Sequence, residues 1–259
     1  MSSLYTVEDI GAVRRITLDR PERRNPLSYA LADALCELLT ATEADDKVAA
    51  VVITGSGKAF CVGGDQKDFQ AGFAKSPSEN YDDYPPMKIF KMVRNYQKPL
   101  IAAINGMAYG GGMGITCAAH IAIAADTASF GIPEIKLGIF PLTILPLIRP
   151  VIGIRKTLDL ALTGRSMSAD EALATGLVSR VVAADSLQDE ALKLATEIGS
   201  FSPLALRLGL KATHMSDDMG FDEAIDYLNA MRTIFFGSQD LNEGATAFLE
   251  KRKPVWSGR

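Results

Sequence analysis

Three short segments of this chain combine glycine with groups able to hold or move charge. The first runs Lys58-Ala59-Phe60-Cys61-Val62-Gly63-Gly64-Asp65-Gln66-Lys67. The second runs Asn105-Gly106-Met107-Ala108-Tyr109-Gly110-Gly111-Gly112-Met113-Gly114, and the third runs Ser129-Phe130-Gly131-Ile132-Pro133-Glu134. Glycine after a buried strand lets backbone N–H groups face a ligand with no Cβ in the way. At a helix start those donors also carry the positive end of the helix dipole. Two such donors converging on one oxygen would stabilise an oxyanion or an enolate, and mutation of one donor typically costs about 2.7–4 kcal/mol of barrier. The third segment supplies a carboxylate, Glu134, able to move a proton.

The elements that must position these segments are legible from hydrophobic pattern. Val13, Ile16 and Leu18 alternate with polar residues and run into the turn-rich Asp19 to Pro26, as a strand leaving the core would. Leu27, Leu31, Leu35, Leu38 and Leu39 have helical spacing, with Ser28 or Asn25 available as a cap. Val48 to Thr54, Leu100 to Asn105 and Ile121 to Ala125 have the length and apolarity of buried strands. The first two of these end in glycine-rich loops, and a recurrence near fifty residues points to a stack of strand–strand–helix units. Gly72 to Tyr96 is polar, carries Pro77, Pro85 and Pro86, and reads as a mobile excursion over the surface. From Ser168 the pattern turns helical: Ser168-Ala169-Asp170-Glu171 is a capping box and Gly176 its stop. Helices are expected over Leu187 to Ile198, from Ser202-Pro203, over Asp222 to Phe235 and over Asn242 to Lys251. An α/β core over 1–200 followed by a helical region over 201–259 is the expected architecture.

Together, in this order, the three segments resemble the enoyl-CoA hydratase/isomerase family, the crotonases. The resemblance extends from Val13 to the terminal Lys251-Arg252-Lys253-Pro254-Val255-Trp256. It implies a spiral of ββα turns, a C-terminal helical region used in trimer formation, and a homotrimer or dimer of trimers. It also implies an acyl-CoA substrate of the kind met in fatty-acid metabolism, with CoA bound only as part of that thioester and with no metal or other cofactor. By the same resemblance Gly64 and Gly111 are the two oxyanion-hole donors and Glu134 the catalytic carboxylate. Arg24 and Lys67 stand where the family contacts CoA phosphates, and Val62 where backbone atoms meet the adenine; a solvated surface charge is the alternative for both cations. Asp65 falls among these CoA-side positions. A hydrogen bond fixing the loop is the favoured task for its carboxylate, and auxiliary acid or base work is the alternative.

Hydratases of the family use two glutamates, one four positions beyond the start of the GGG and one in the Pro-Glu segment. Here the first position is Gly114, and only Glu134 remains. Hydration needs a base for water and an acid for the α-carbon, which two carboxylates serve most readily. A single carboxylate suits a shuttle, taking an α-proton and returning it at the γ-carbon through an enolate, so double-bond isomerisation is expected ahead of hydration or C–C hydrolysis. Glu134 should then lie in an apolar cleft that raises its pKa. Ile132, Ile135, Ile139, Phe140, Leu142, Ile144 and Leu145 are its apolar sequence neighbours. Pro141-Leu142-Thr143-Ile144-Leu145 replaces a stretch that is glycine-rich in hydratases, so a differently shaped acyl pocket or plain core packing is expected there. Tyr109, Asp82 and Asp83 are lesser candidates for extra catalytic groups. Phe235 and Phe236 are expected in core packing or lining a pocket, and Cys61 in a small core site.

Other chemistries find little support. Net charge is −4 and no dense Lys/Arg run is present, so no nucleic-acid footprint is expected. Three separated cysteines without CxxC pairing point to free thiols and no metal. His120 and His214 lack Ser and Asp at the spacing of a hydrolase triad. Gly110 to Gly114 lacks the GxGxxG spacing of a dinucleotide loop. Neither a signal-like N-terminus nor an apolar run of membrane-spanning length is present, so a cytoplasmic location without membrane association is expected. The missing carboxylate at Gly114 leaves a non-catalytic acyl-CoA-binding protein as the alternative of another class.

Overall fold

The structure is a computed structural model and describes residues 4–82 and 84–259. Asp83 lies outside the described residues, as does the side chain of Asp82. Two sheets form the frame. The larger joins β1 (Tyr5–Ile10), β2 (Val13–Leu18), β3 (Ala50–Gly55), β5 (Leu100–Ile104), β7 (Ile121–Ala125) and β10 (Arg180–Val182), in that order. The smaller joins β4 (Ala59–Cys61), β6 (Met107–Tyr109), β8 (Ser129–Gly131) and β9 (Ser166–Ser168). β2 through β10 pair in parallel across the larger sheet, with only β1 antiparallel.

Each of β3, β5 and β7 is followed within a few residues by its partner β4, β6 or β8 in the other sheet. This is the expected spiral of strand–strand–helix turns. β3 and β5 are buried along their whole length, because a parallel strand covered on both faces must be apolar throughout. The fifty-residue recurrence holds only once. Strands start at Ala50, Leu100 and Ile121, so the second step is less than half the first.

The length of the first step comes from α2 (Gln66–Gly72), α3 (Pro77–Asp82) and α4 (Pro85–Arg94). Here the expected surface excursion is corrected in its second half. α4 opens on Pro85-Pro86, where a missing N–H costs nothing, and buries Ile89, Phe90 and Val93 against α1 (Tyr29–Glu43) and α5 (Gly111–Ala118). Each such side chain contributes about 1.5–3 kcal/mol by leaving water. Tyr96, also assigned to the excursion, is buried in the core. The prolines dominated the pattern and concealed apolar positions at helical spacing.

Helix starts follow the chain's own caps. The Ser28 hydroxyl accepts from Leu31 N–H at 3.2 Å and opens α1. Asn25 does not cap it: at φ 55 its side chain donates to the Ala59 and Ser56 carbonyls, tying the loop after β2 to β4. α6 (Leu145–Thr163) bends at Gly153, and α7 (Ala169–Ala174) is capped by Ser168 and stopped by Gly176 at φ 79. Glu171 does not return the bond of a full capping box, because its carboxylate is taken by Arg165 and Lys156. α8 (Leu187–Gly199) covers the larger sheet.

α9 (Pro203–Ser216), α10 (Phe221–Phe236) and α11 (Gln239–Leu249) complete the chain. α10 buries none of its residues, and Phe221, Ile225, Leu228, Ile234 and Phe236 are exposed on it. Core packing of Phe235 and Phe236 within the chain is therefore corrected: Phe236 is exposed with the Arg232 guanidinium 5.1 Å from its ring centre, and Phe235 is only half-buried. Among the described residues no helix is long and apolar enough to cross a membrane.

Candidate active site

The first glycine loop leaves β4 and closes against two other parts of the chain. Leu27 N–H donates to Gly63 O at 2.7 Å, and Leu27 and Gly64 form a single β-bridge. Gly63 adopts φ 91. A Cβ on it would stand 3.2 Å from Tyr109 O and 3.4 Å from Gly111 N, so the two glycine loops touch here without room for a side chain.

The second loop is held by Gly110 N–H donating to Gly131 O at 2.9 Å, and Gly110 at φ 51 caps α5. Gly111 is the first residue of α5, so its N–H has no acceptor within the helix and carries the dipole's positive end. The family resemblance paired Gly64 with Gly111; the structure lines one cavity with both, and Glu134 lines it too.

That cavity encloses about 240 Å³ and is mostly apolar, walled by Leu27, Phe69, Pro86, Phe90, Ile139, Phe140, Leu142 and Ile144. Of the apolar neighbours of Glu134 in sequence, Ile139, Phe140, Leu142 and Ile144 face the cavity. Ile132 is core, Ile135 is partly exposed, and Leu145 opens α6 outside the lining. Pro141 to Ile144 therefore shapes a pocket in addition to packing. Phe69, Tyr84 and Phe90 also line it and escaped notice in the sequence, Tyr84 and Phe90 because the segment around them read as surface.

A second cavity of about 500 Å³ adjoins the first through Gly64, Phe69 and Glu134. Its lining includes Arg23, Arg24, Val62, Asp65 and Gln66. Arg24 reaches it from a left-handed backbone turn at φ 61. Lys67, by contrast, is exposed in the first turn of α2 and is not part of the lining.

Asp65 is buried and is committed to structure. It accepts from Lys67 N–H at 3.1 Å, capping α2, and pairs with Arg20 at 3.0 Å and Arg23 at 3.2 Å. Burial alone would push its pKa up. The Lys67 N–H and the two guanidinium groups outweigh that and hold it below the usual carboxylate value. An acid this firmly ionised is a poor proton donor at neutral pH, which favours its loop-fixing task.

Glu134 differs on each count. It follows Pro133 at the start of a 3-10 turn ending at Gly138, and its Oε2 is buried with no hydrogen-bond partner among the described residues. Its pKa is raised, chiefly by burial, with only its own backbone N–H opposing. Its Oε1 lies 2.7 Å from where a Cβ on Gly110 would be. The carboxylate thus stands directly over the turn that aims Gly111 N–H, which neither segment could disclose separately.

No room for a second carboxylate exists at Gly114. A Cβ there would meet Ile144 Cγ2 at 2.9 Å and Phe90 Cε1 at 3.0 Å. The two departures read separately in the sequence, at Gly114 and at 141–145, are one packing arrangement: Ile144 and Phe90 fill the space beside Gly114.

The remaining candidates fall away from this site. The Tyr109 hydroxyl bonds Ser129 Oγ at 3.1 Å and Ser166 Oγ at 3.0 Å on the smaller sheet, outside both linings. Cys61 is fully buried, and burial pushes its thiol up to about 11. His120 Nδ1 accepts from Leu100 N–H at 2.9 Å, and its ring lies 5.4 Å from that of His214. No triad forms. Among the described residues no cluster of His, Cys, Asp and Glu could hold a metal ion.

Gly64 and Gly111 thus share one lining with a desolvated carboxylate, between a cation-bearing mouth and a mostly apolar chamber. The chain belongs to the enoyl-CoA hydratase/isomerase family, whose model matches residues 8–259. It is similar to a probable enoyl-CoA hydratase of Rhizobium meliloti, 39% identical and covering 98% of this chain and 97% of that protein. A probable mitochondrial enoyl-CoA hydratase of Dictyostelium discoideum is 37% identical over 98% of this chain and 91% of its own. The solved structure of an enoyl-CoA hydratase from Bacillus anthracis superposes with a TM-score of 0.92 at 32% identity, covering 99% of this chain and all of that one. The fold is that of the crotonases, and the protein is an acyl-CoA enzyme of hydratase/isomerase type.

Proposed function

We propose that this enzyme isomerises the double bond of an enoyl-CoA, with Glu134 as the only proton carrier. The observation that carries the reading is the packing of Gly114 against Ile144 and Phe90, which leaves Glu134 as the sole carboxylate lining the acyl cavity among the described residues. A thioester oxygen between Gly64 N–H and Gly111 N–H becomes an enolate oxygen when the α-proton leaves, and the two donors act most strongly on that charge. Glu134 takes the α-proton, holds it while the electron pair delocalises towards the γ-carbon, and returns it there. A raised pKa brings the carboxyl nearer the enolate in proton affinity, so abstraction becomes less uphill while the return transfer to carbon stays downhill.

Arg23, Arg24 and the backbone at Val62 support the larger cavity as the seat of the CoA portion, while Lys67 is exposed outside its lining. No cofactor beyond the thioester's own CoA enters this chemistry. The exposed apolar face of α10 supports association through the C-terminal helices, as a trimer or a dimer of trimers, with 1–200 as the catalytic core and 201–259 as the assembling region. A soluble cytoplasmic setting fits a CoA substrate.

Hydration is the second reading, favoured by the hydratase names of the relatives above. The two reactions separate cleanly. A 3-enoyl-CoA should gain the absorbance of the conjugated 2-enoyl thioester, and a 2-enoyl-CoA should not yield the 3-hydroxyacyl product. Accumulation of the hydroxyacyl thioester at a comparable rate would establish hydratase action instead. Glu134→Gln should retain CoA-thioester binding and lose turnover; an active variant would remove Glu134 from its assigned role.

A further inference from the structure

The far end of the acyl chamber is not closed, and polar groups stand at its opening. Tyr84 and Thr143 line the chamber, and both also line a third cavity of about 540 Å³ on the other side. Tyr84 is kept in place by an edge-on contact with Tyr29, ring centres 5.7 Å apart. Burial raises its pKa, the Thr143 hydroxyl opposes that by hydrogen bonding, and the charge of Glu134 adds to the rise. Two hydroxyls therefore mark the boundary between the cavities.

Beyond them stand Asn80, Met87, Lys88 and Lys91. The lysines are one helical turn apart on α4 and so share a face. Lys88 is paired at 3.2 Å with Asp33, both exposed. Lys91 makes no ion pair among the described residues, and no described carboxylate lines this cavity. Tyr81 and Met87 offer an alkyl tail some apolar contact, but its terminal methyl would desolvate hydroxyls and ammonium groups without replacing their hydrogen bonds. A carboxylate at the tail's end would accept the one hydroxyl proton that the Tyr84–Thr143 bond leaves free and meet the uncommitted charge of Lys91.

We propose that the acyl group this enzyme takes is a short chain ending in a carboxylate, bound at its far end by Tyr84, Thr143 and Lys91. This rests on the reading of the inner chamber as the acyl site. Its test is the affinity of unreactive saturated CoA thioesters in matched pairs, of equal chain length, four to eight carbons, ending either in methyl or in carboxylate.

The carboxylate member of the best pair should bind about tenfold tighter to the unaltered enzyme, the scale of one charge-assisted contact. In Lys91→Met, and in Lys88→Met/Lys91→Met, the ratio of the two affinities should fall towards one. Because the ratio is read within each variant, a change in folded fraction cancels from it. Tyr84→Phe combined with Thr143→Val should reduce the same ratio. Equal binding of both members at every length, or a preference that survives loss of both lysines, overturns the proposal while leaving the acyl-CoA site intact. Failure of every thioester in the series to bind would sink both.

Discussion

Gly110 joins the two halves of the site, and replacing it with alanine separates backbone strain from catalytic geometry. At φ 51 and ψ −119 it occupies a conformation that an L residue rarely adopts, and the cost of forcing one there is about 1–3 kcal/mol. The added Cβ would come within 2.7 Å of Glu134 Oε1 and 3.5 Å of Gly63 Cα. A carboxylate end can swing aside, so this contact adds little to unfolding. It would displace the proton carrier, however, and relaxation of the turn would re-aim Gly111 N–H. Losing one such donor lowers kcat about 10²–10³-fold.

The expected result is a Tm lower by about 2–4 °C per kcal/mol lost, with kcat for the isomerisation reduced at least a hundredfold at temperatures where the variant is fully folded. Gly11→Ala is the control. That glycine has φ 61 in the turn between β1 and β2 and has nothing within 4 Å of the added Cβ. It should lose comparable stability and no activity. If Gly110→Ala kept its kcat while losing stability as Gly11→Ala does, the coupling of this turn to Glu134 and Gly111 would be refuted.

The rate should depend on pH through Glu134. In the proposed reaction the ionised form takes the α-proton, so kcat/KM should rise with pH across a value above the ordinary glutamate pKa; a profile flat down to pH 4 would contradict the raised pKa. Stability runs the other way. A carboxyl whose folded pKa exceeds its unfolded value binds more protons when folded, so stability falls as pH rises through that window, and Glu134→Gln should unfold at equal or higher denaturant concentration than the unaltered enzyme at neutral pH. Asp65 has the opposite sign: its folded pKa is lowered, so its contribution is present above the unfolded value and disappears as pH falls through the folded one. Asp65→Asn should lose about 1.5–3 kcal/mol in denaturant melts at neutral pH and progressively less in acid; a constant difference across pH would rule out the ion pairs as its source. Asp240 is buried and accepts from Ser202 Oγ at 2.6 Å, Ser257 N–H at 2.8 Å and Gly258 N–H at 3.0 Å, clasping the chain's last residues to α9 and α11. Asp240→Ala should cost at least about 1.5–3 kcal/mol and expose the segment after Lys251 to limited proteolysis, and a variant as protease-resistant as the parent would deny the clasp.

How much of this was legible in the chain varies with the range of the interaction responsible. Buried parallel strands announce themselves because both faces must be apolar, so β3, β5 and β7 could be read directly. Ser28, Ser168 and Ser202 each cap the helix expected after them, since a cap acts within three residues. α4 was missed because local proline and charge outweighed Ile89, Phe90 and Val93, whose burial depends on helices distant in sequence.

At the site, the glycine loops and Pro133-Glu134, taken together and in order, were enough to place the chain in its family, because short motifs are carried within single segments. What the loops share a chamber with was decided only by folding. The carboxylate over Gly110, the pairing of Asp65 with Arg20 and Arg23, and the meeting of Gly114 with Ile144 and Phe90 all join residues from separate turns of the spiral. A missing glutamate was visible as one letter. That its place is packed with hydrocarbon could be known only once the helices and the loop before α6 closed on one another, since close packing belongs to the assembled interior and has no signature in any single segment.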